Sequence, residues 1–250
     1  MKRILFAIPH PDDEIVGTCT LIKNFVEEKK IITIVFLTNG VISRQQNWFW
    51  KRSMYQHFVE IRKNEMLKSI ELLGVKQYFY QNIPTRSLKV NIEETYKLIS
   101  KIIKKNKIDT VFCPAYEGGH PDHDITNFIC SRLDGQCNLF EFPEYNFYNG
   151  KINSNTFCQS YGKDKTIFLN SSEKKFKRKC LNIYKSEKNN LNYINLNKEC
   201  FRPMIKYDYS TPPHKGILFY RRFSLFSWHP RVDSSTPLEI NNCIKSSEIY

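Results

Sequence analysis

The chain has 250 residues, 41% hydrophobic and 25% charged, which allows a full buried core and excludes a disordered or collagen-like polymer. No apolar run approaches the roughly 20 residues needed to cross a bilayer. The 38 Lys+Arg against 25 Asp+Glu give a net charge of +13, a field suited to nucleic acid, an anionic membrane surface or phosphorylated small molecules, or the by-product of a Lys-, Asn- and Ile-rich coding bias.

Met1-Lys2-Arg3 followed by Ile4-Leu5-Phe6-Ala7-Ile8 resembles the start of a signal peptide, but the apolar run stops at Pro9-His10. Residues 3–8 are therefore expected to form a strand covered on both faces. A short acidic-histidine cluster, His10-Pro11-Asp12-Asp13-Glu14, closes it. Ile15, Cys19, Ile22 and Val26 then fall at helical spacing over residues 14–29. Ile31 to Leu37 is a β-branched second strand, ended by Thr38-Asn39-Gly40. An aromatic loop containing Asn47-Trp48-Phe49-Trp50 precedes a helix from about Ser53 to Leu73, with Gly74 as its left-handed cap. A strand at 77–80, a helix through Ile92, Tyr96, Ile99 and Ile103, and a strand at 109–113 follow. Gly118-Gly119 leads into a second cluster, His120-Pro121-Asp122-His123, then a helix through Ile125, Phe128, Ile129 and Leu133 and a strand at 138–142.

The remainder is less regular. Phe176, Cys180, Leu181 and Tyr184 predict one helix, with Lys174, Lys175, Lys177 and Lys179 on a face that is either solvated or turned to phosphate. Ile217 to Tyr220 reads as a late strand. One domain is expected over residues 1–250, with a motif-bearing core over 1–145 and the C-terminal part packed on it. The eight cysteines include no C-x-x-C pair, which argues against a zinc ribbon or a disulfide-stapled secreted domain and for free thiols in a reducing cytoplasm. No Arg/Gly-rich tail, basic zipper or recognition helix is present, so no nucleic-acid partner is expected.

Strands alternating with helices imply a parallel sheet wrapped on both faces by right-handed crossovers. In a doubly wound order 3-2-1-4-5, strands 1 and 4 are neighbours, and ligands bind in the crevice beyond their carboxyl ends. The two clusters sit at those two ends. Topology thus brings residues about 110 positions apart to one locus.

Catalytic zinc sites draw three protein ligands from His and carboxylate and leave one position for water. His10, Asp13 and His123 are the expected ligands; the set suits zinc, and iron also accepts it. Asp12 adjoins a ligand and is the expected base for water. His120 is left to donate to an oxyanion or to protonate the leaving amine. Taken singly, Asp12 or Asp13 is a helix N-cap and a histidine after a strand is structural; only the pair of clusters carries the argument. Asp122 and Asp124 are expected to cap the helix or hold an imidazole, and Glu14 to support its helix or orient a ligand.

With these residues in place, the chain resembles the LmbE-like, or PIG-L, zinc-dependent N-acetylglucosaminyl deacetylases over roughly residues 3–145. The family's leading motif stands here as Pro9-His10-Pro11-Asp12-Asp13-Glu14, its second as His120-Pro121-Asp122-His123. Thr38-Asn39-Gly40, Arg62-x-x-Glu65 and Leu73-Gly74-Val75 look similar too, as does Tyr184-Lys185-Ser186-Glu187, with Glu for the usual Gln. Pro9 replaces an alanine, and Pro84-Thr85 stands where Pro-Asp is common.

The resemblance implies a Rossmann-like three-layer α/β/α sandwich. It further implies a zinc-dependent deacetylase acting on an N-acetylated amino sugar; with the cysteine usage, the expected protein is a cytoplasmic enzyme releasing acetate from a sugar-lipid, nucleotide sugar or saccharide. The same ligand set, base and His120 role follow from it. Arg62 is expected either to face substrate or to pair with Glu65 along its helix. Trp48, Trp50 and Tyr145 lie in loops at the motif-bearing edge, where they would form a platform for a pyranose ring or simply pack beneath the loop. A phosphorylated or lipid-linked substrate would leave room for peripheral membrane contact. Two alternatives remain at this level: an amidase for another N-acyl sugar or a thiol-sugar conjugate, and a basic anionic-surface or nucleic-acid binder with a vestigial site.

Overall fold

A computed structural model describes residues 1–250. In chain order the strands and α-helices are β1 (Arg3–Ile8), α1 (Asp13–Val16), α2 (Cys19–Glu27), β2 (Ile31–Phe36), α3 (Tyr55–Leu73), β3 (Gln77–Tyr80), α4 (Ile92–Asn106), β4 (Thr110–Pro114) and α5 (Pro121–Ser131). The second half holds β5 (Asn138–Phe142), β6 (Tyr145–Asn146), β7 (Asn153–Ser154), β8 (Lys165–Phe168), α6 (Ser171–Leu181), β9 (Lys198–Pro203) and α7 (Pro237–Lys245).

The main sheet runs β3-β2-β1-β4-β5-β9-β8. Its first five strands are mutually parallel, and β9 joins β5 and β8 antiparallel. The expected order 3-2-1-4-5 is present, extended by two strands from the C-terminal part. Alternation along β1 sorts the core into two layers. Leu5 and Ala7 pack with α4, α5 and α7 through Ile99, Phe128 and Ile244, whereas Ile4, Phe6 and Ile8 pack with α1 to α3 through Ile15, Ile22 and Ile70. Both faces are covered, so the central strands read as unbroken apolar runs. The fold is a Rossmann-like α/β/α sandwich, and no helix is long and apolar enough to cross a membrane.

Three local expectations are corrected. The helix expected at 14–29 breaks at Gly17, where a Cβ would stand 2.4 Å from Phe142 Cδ2; β5 comes too close for a side chain there. Ile217 to Tyr220 is not a strand: Phe219–Arg221 forms a 3-10 turn, and Phe219 N–H bonds to Gly118 O at 2.9 Å. This apolar run instead covers the loop before the second cluster. Lys177 is not on a solvated or phosphate-facing surface but fully buried, 2.8 Å from Glu199 Oε1.

Candidate active site

Strands β1 and β4 are adjacent and parallel, so the chain leaves both at the same sheet edge. Beyond β1 it turns sharply, and Asp12 takes φ +125°, a conformation side chains rarely adopt. Asp12 occupies the N-cap position of α1 yet makes no capping bond with its side chain, which leaves the carboxylate for other use. Strain of this kind persists only where surrounding structure enforces it. Here the enforcing group is Glu14: it accepts the Asp12 N–H at 2.9 Å and is held by Ser69 and Tyr184 hydroxyls.

Beyond β4, His120 is the N-cap of α5, its Nδ1 accepting the Asp122 N–H at 3.1 Å. The preceding Gly119 has a packing reason: a Cβ would lie 2.3 Å from the Tyr145 carbonyl oxygen. Gly119→Ala is therefore expected to cost about 2 kcal/mol by overpacking, a fall in Tm of about 4–8 °C for a domain of this size. Calorimetry checks it; an unchanged Tm would mean the Tyr145 loop yields freely.

The two turns converge. His10 Nδ1 lies 3.0 Å from Asp13 Oδ2, His123 Nε2 lies 3.2 Å from the same oxygen, and the two imidazole nitrogens are 3.2 Å apart. Tetrahedral zinc with bonds of about 2.0–2.1 Å sets its ligands about 3.3 Å apart, so this triangle matches in edge length. The imidazole orientation fits as well. His10 Nε2 bonds to Asp122 Oδ2 at 2.9 Å, which places the proton on Nε2 and leaves Nδ1 a lone pair toward the triangle. Asp122 is itself fixed by the Arg86 N–H at 2.6 Å and the Leu88 N–H at 3.2 Å. Its place beside His10 agrees with the expectation that it holds an imidazole, while Asp124 fixes the loop through the N–H groups of Glu117 and Gly118.

The electrostatics call for a cation. Burial opposes protonation of His10, but Asp13 and Asp122 outweigh it and raise the group to about 10. Burial and the neighbouring His10 keep His120 well below the usual imidazole range, hence neutral. Asp12 is pushed well above its ordinary value by burial, against the opposing pull of Arg62. Burial opposes ionisation of Asp13, but His123 and His10 outweigh it and hold this carboxyl well below its ordinary range. The triangle thus pairs an anionic oxygen with imidazole nitrogens, a donor set that suits a metal ion.

The structure places the other expected residues unequally. Arg62 is buried, and its guanidinium spans Asp12 Oδ2 at 3.3 Å, Pro11 O at 2.7 Å and Glu187, with Ser186 Oγ 3.1 Å from Nε. Glu65 is 4.0 Å from Arg62 Nε and accepts from Ser186. Arg62 thus lines the site while spending its donors on Asp12 and the 184–187 segment. Trp48, Arg62 and Tyr145 border a cavity of about 1040 Å³ that contains His10, Asp12 and His120. Trp50 stacks on the outer face of Trp48 at 4.9 Å and is 55% exposed, apart from the cavity lining.

Two nearby carboxylates escaped the sequence reading. Glu144 is buried 3.6 Å from His123 Nδ1 with neither oxygen hydrogen-bonded, and Asp233 lies 3.9 Å from His120 Nε2. No motif flags either; Glu144 in Phe142-Pro143-Glu144-Tyr145 immediately follows a strand at the correct edge, the one available signal.

Fold and site together define a Rossmann-like α/β protein with a candidate metal-hydrolase centre at the carboxyl ends of its first and fourth strands. A family model described as PIG-L, GlcNAc-PI de-N-acetylase, matches residues 5–133, just over half of the chain. The chain belongs to the PIG-L family. Over 134 residues it is 28% identical to a diacetylchitobiose deacetylase of Thermococcus kodakarensis, covering 52% of this chain and 48% of that protein; the match spans about half of the relative's length. The zinc-inhibited form of teicoplanin deacetylase Orf2 superposes with a TM-score of 0.64 at 14% identity, covering 82% of this chain and 99% of that one. A 4-carboxy-2-hydroxymuconate hydratase from Pseudomonas putida superposes at 0.54 and 14% identity, covering 83% and 99%. The likeness to these structures is one of fold, and a fold shared by deacetylase and hydratase leaves the reaction to be argued from the site.

Proposed function

We propose that this protein is a zinc-dependent hydrolase that removes the N-acetyl group from an amino sugar in a glycoconjugate, releasing acetate. The observation that carries the reading is the triangle of His10 Nδ1, Asp13 Oδ2 and His123 Nε2, with sides of 3.0–3.2 Å, on the wall of an open cavity beside a strained, uncapped Asp12. The match to a diacetylchitobiose deacetylase supports an N-acetylated sugar as substrate.

His10, Asp13 and His123 hold the metal in this proposal; zinc fits the donor set, and ferrous iron is the other candidate. When bound, such a cation supplies Lewis acidity to the amide carbonyl and eases deprotonation of water. Asp12 accepts the proton of the attacking water, with Arg62 and Glu14 holding its carboxylate and backbone in place. His120, neutral and with Nδ1 occupied by the Asp122 N–H, carries its proton on Nε2. That N–H is available as a hydrogen-bond donor to the oxyanion developing on the amide, and the proton that Asp12 takes from water is the one passed to the departing amine.

Trp48 and Tyr145 offer aromatic faces to the sugar, and Trp50 supports Trp48 from outside. A phosphorylated or lipid-linked aglycone suits the net charge of +13. The eight free cysteines are in keeping with a cytoplasmic location. The deciding experiment measures acetate release from N-acetylchitooligosaccharides, nucleotide sugars and lipid-linked N-acetyl sugars, with chelator and with zinc added back. Release lost to chelator and restored by zinc is expected; chelator-resistant turnover would end the metal reading.

Asp122 gives a second test. Asp122→Asn weakens the acceptor that orients His10, and metal affinity is expected to fall about 10–100-fold. Competition titration against a chromophoric chelator measures this. Unaltered affinity would mean His10 needs no such support.

A further inference from the structure

We propose that the rim of the catalytic cavity is a docking surface for an anionic phospholipid bilayer. Two segments far apart in sequence meet there and expose large apolar side chains: Phe49 (73% exposed) and Trp50 (55%) from one, Phe223 (54%), Leu225 (90%), Phe226 (54%) and Trp228 (68%) from the other. Single exposed apolar residues are ordinary, whereas six in one patch mark an interaction surface. The two segments touch through their rings. Phe49 meets Trp50 edge-on at 4.7 Å, Trp50 stacks on Trp48, and Trp48 lies 6.2 Å from the Trp228 ring. Phe223, Phe226 and His229 are linked by successive backbone bonds of 2.9 Å.

Most of these side chains are not substrate walls. Trp48, Phe223 and His229 border the cavity, while Phe49, Trp50, Leu225, Phe226 and Trp228 stand outside it. Phe49 and Trp50 project from the 3-10 turn Phe49–Met54, Leu225 and Phe226 from the turn Ser224–Phe226, and Trp228 from just beyond it. A protruding rim of Trp, Phe and Leu suits insertion at the depth of lipid headgroups, where aromatic side chains concentrate.

Charge selects the partner. Residues 41–59 contain Arg44, Lys51 and Arg52 and no acidic residue; residues 209–232 contain Lys215, Arg221, Arg222 and Arg231, again with none. Arg52, Arg221 and Arg222 bond to backbone carbonyls rather than to carboxylates, so their charge is not cancelled. Lys51, Arg222 and Arg231 border the cavity mouth beside this apolar rim, and Arg52 shares the turn that carries Phe49 and Trp50; such cations complement an anionic leaflet. Against a second copy of this chain they would oppose the same cations, which disfavours self-association through this face. Docking in this orientation turns the cavity mouth toward the headgroups. That an amino sugar on a lipid is thereby reached rests on the proposed deacetylation; the docking does not.

The test is co-sedimentation of the full-length chain with sucrose-loaded vesicles of phosphatidylcholine alone and of phosphatidylcholine with phosphatidylserine, at low and high salt. Binding to the mixed vesicles is expected to exceed binding to the neutral ones by about tenfold and to weaken with salt. Leu225→Glu with Trp228→Glu, and separately Lys51→Glu with Arg231→Glu, are each expected to lower binding about tenfold or more. Far-UV circular dichroism confirms that the variants are folded. Phe168→Glu, at an equally exposed site on the outermost strand β8 (79% exposed), should bind like the parent. Failure of the parent to sediment with mixed vesicles overturns the proposal, as does equal loss in Phe168→Glu. A dimer in size-exclusion chromatography that Leu225→Glu converts to monomer, without vesicle binding, would give the patch to a second copy instead. Because none of these readouts uses turnover, an inactive enzyme would not sink the docking, nor would absent docking sink the chemistry.

Discussion

Asp12→Asn is expected to lower kcat for amide hydrolysis by about 10²–10⁴-fold, the usual contribution of a positioned general base, while metal content stays at the parent level. The choice of Asn follows from the backbone. Asp12 sits at φ +125°, and Asn tolerates positive φ better than Ala does, so Asn removes the proton acceptor without adding a conformational penalty. It also keeps an oxygen facing Arg62 Nη1, which lies 3.3 Å from Asp12 Oδ2. Metal content separates the outcomes. Asp13, not Asp12, shares the triangle with His10 and His123, so a variant that loses both metal and activity would assign Asp12 to the metal. Full activity with full metal would leave water activation without a named base.

Much of this site could be read from the chain because the relevant signals are local. His10 to Asp13 and His120 to His123 follow strands whose β-branched and apolar runs mark them as central, and central parallel strands end at one edge. The strand limits expected at 77–80 and 138–142 coincide with β3 and β5. Features set by distant partners were not legible. The first helix breaks across Gly17-Thr18, and position 17 admits no side chain because Phe142, 125 positions later, fills that space. The 217–220 run has strand composition, yet it follows Pro212-Pro213 and Gly216 (φ +105°) and folds over Gly118 rather than onto the sheet. Strands β8 and β9 were hidden for a similar reason. Glu199 and Arg202 look like solvent-facing residues, but both are buried with charged partners, Arg202 against Glu141 at 2.7 Å. Polar composition signals exposure only when no partner is waiting inside.

Lys177→Met is expected to be the most destabilising single change behind the site, at about 3–5 kcal/mol, because it leaves one charge of a buried pair uncompensated. The expected fall in Tm is about 6–20 °C. Lys177 Nζ donates to Val16 O at 2.9 Å and to Glu199 Oε1 at 2.8 Å. Glu199 in turn accepts the Thr20 and Leu21 N–H groups, each at 3.0 Å, at the start of α2. The pair therefore closes both ends of the helix break: the lysine satisfies the carbonyl leaving α1, and the carboxylate takes the free N–H groups entering α2. Without it, the segment that carries Asp12 and Asp13 loses its anchor to α6 and β9. The loss should be mostly one of unpaired charge, since Met conserves much of the lysine stem's packing. Adding Glu199→Gln to Lys177→Met should thus recover part of the lost stability while keeping an acceptor for α2. Calorimetry on the two single variants and the double variant measures the coupling; strictly additive losses would show that helix capping, not charge pairing, sets the cost.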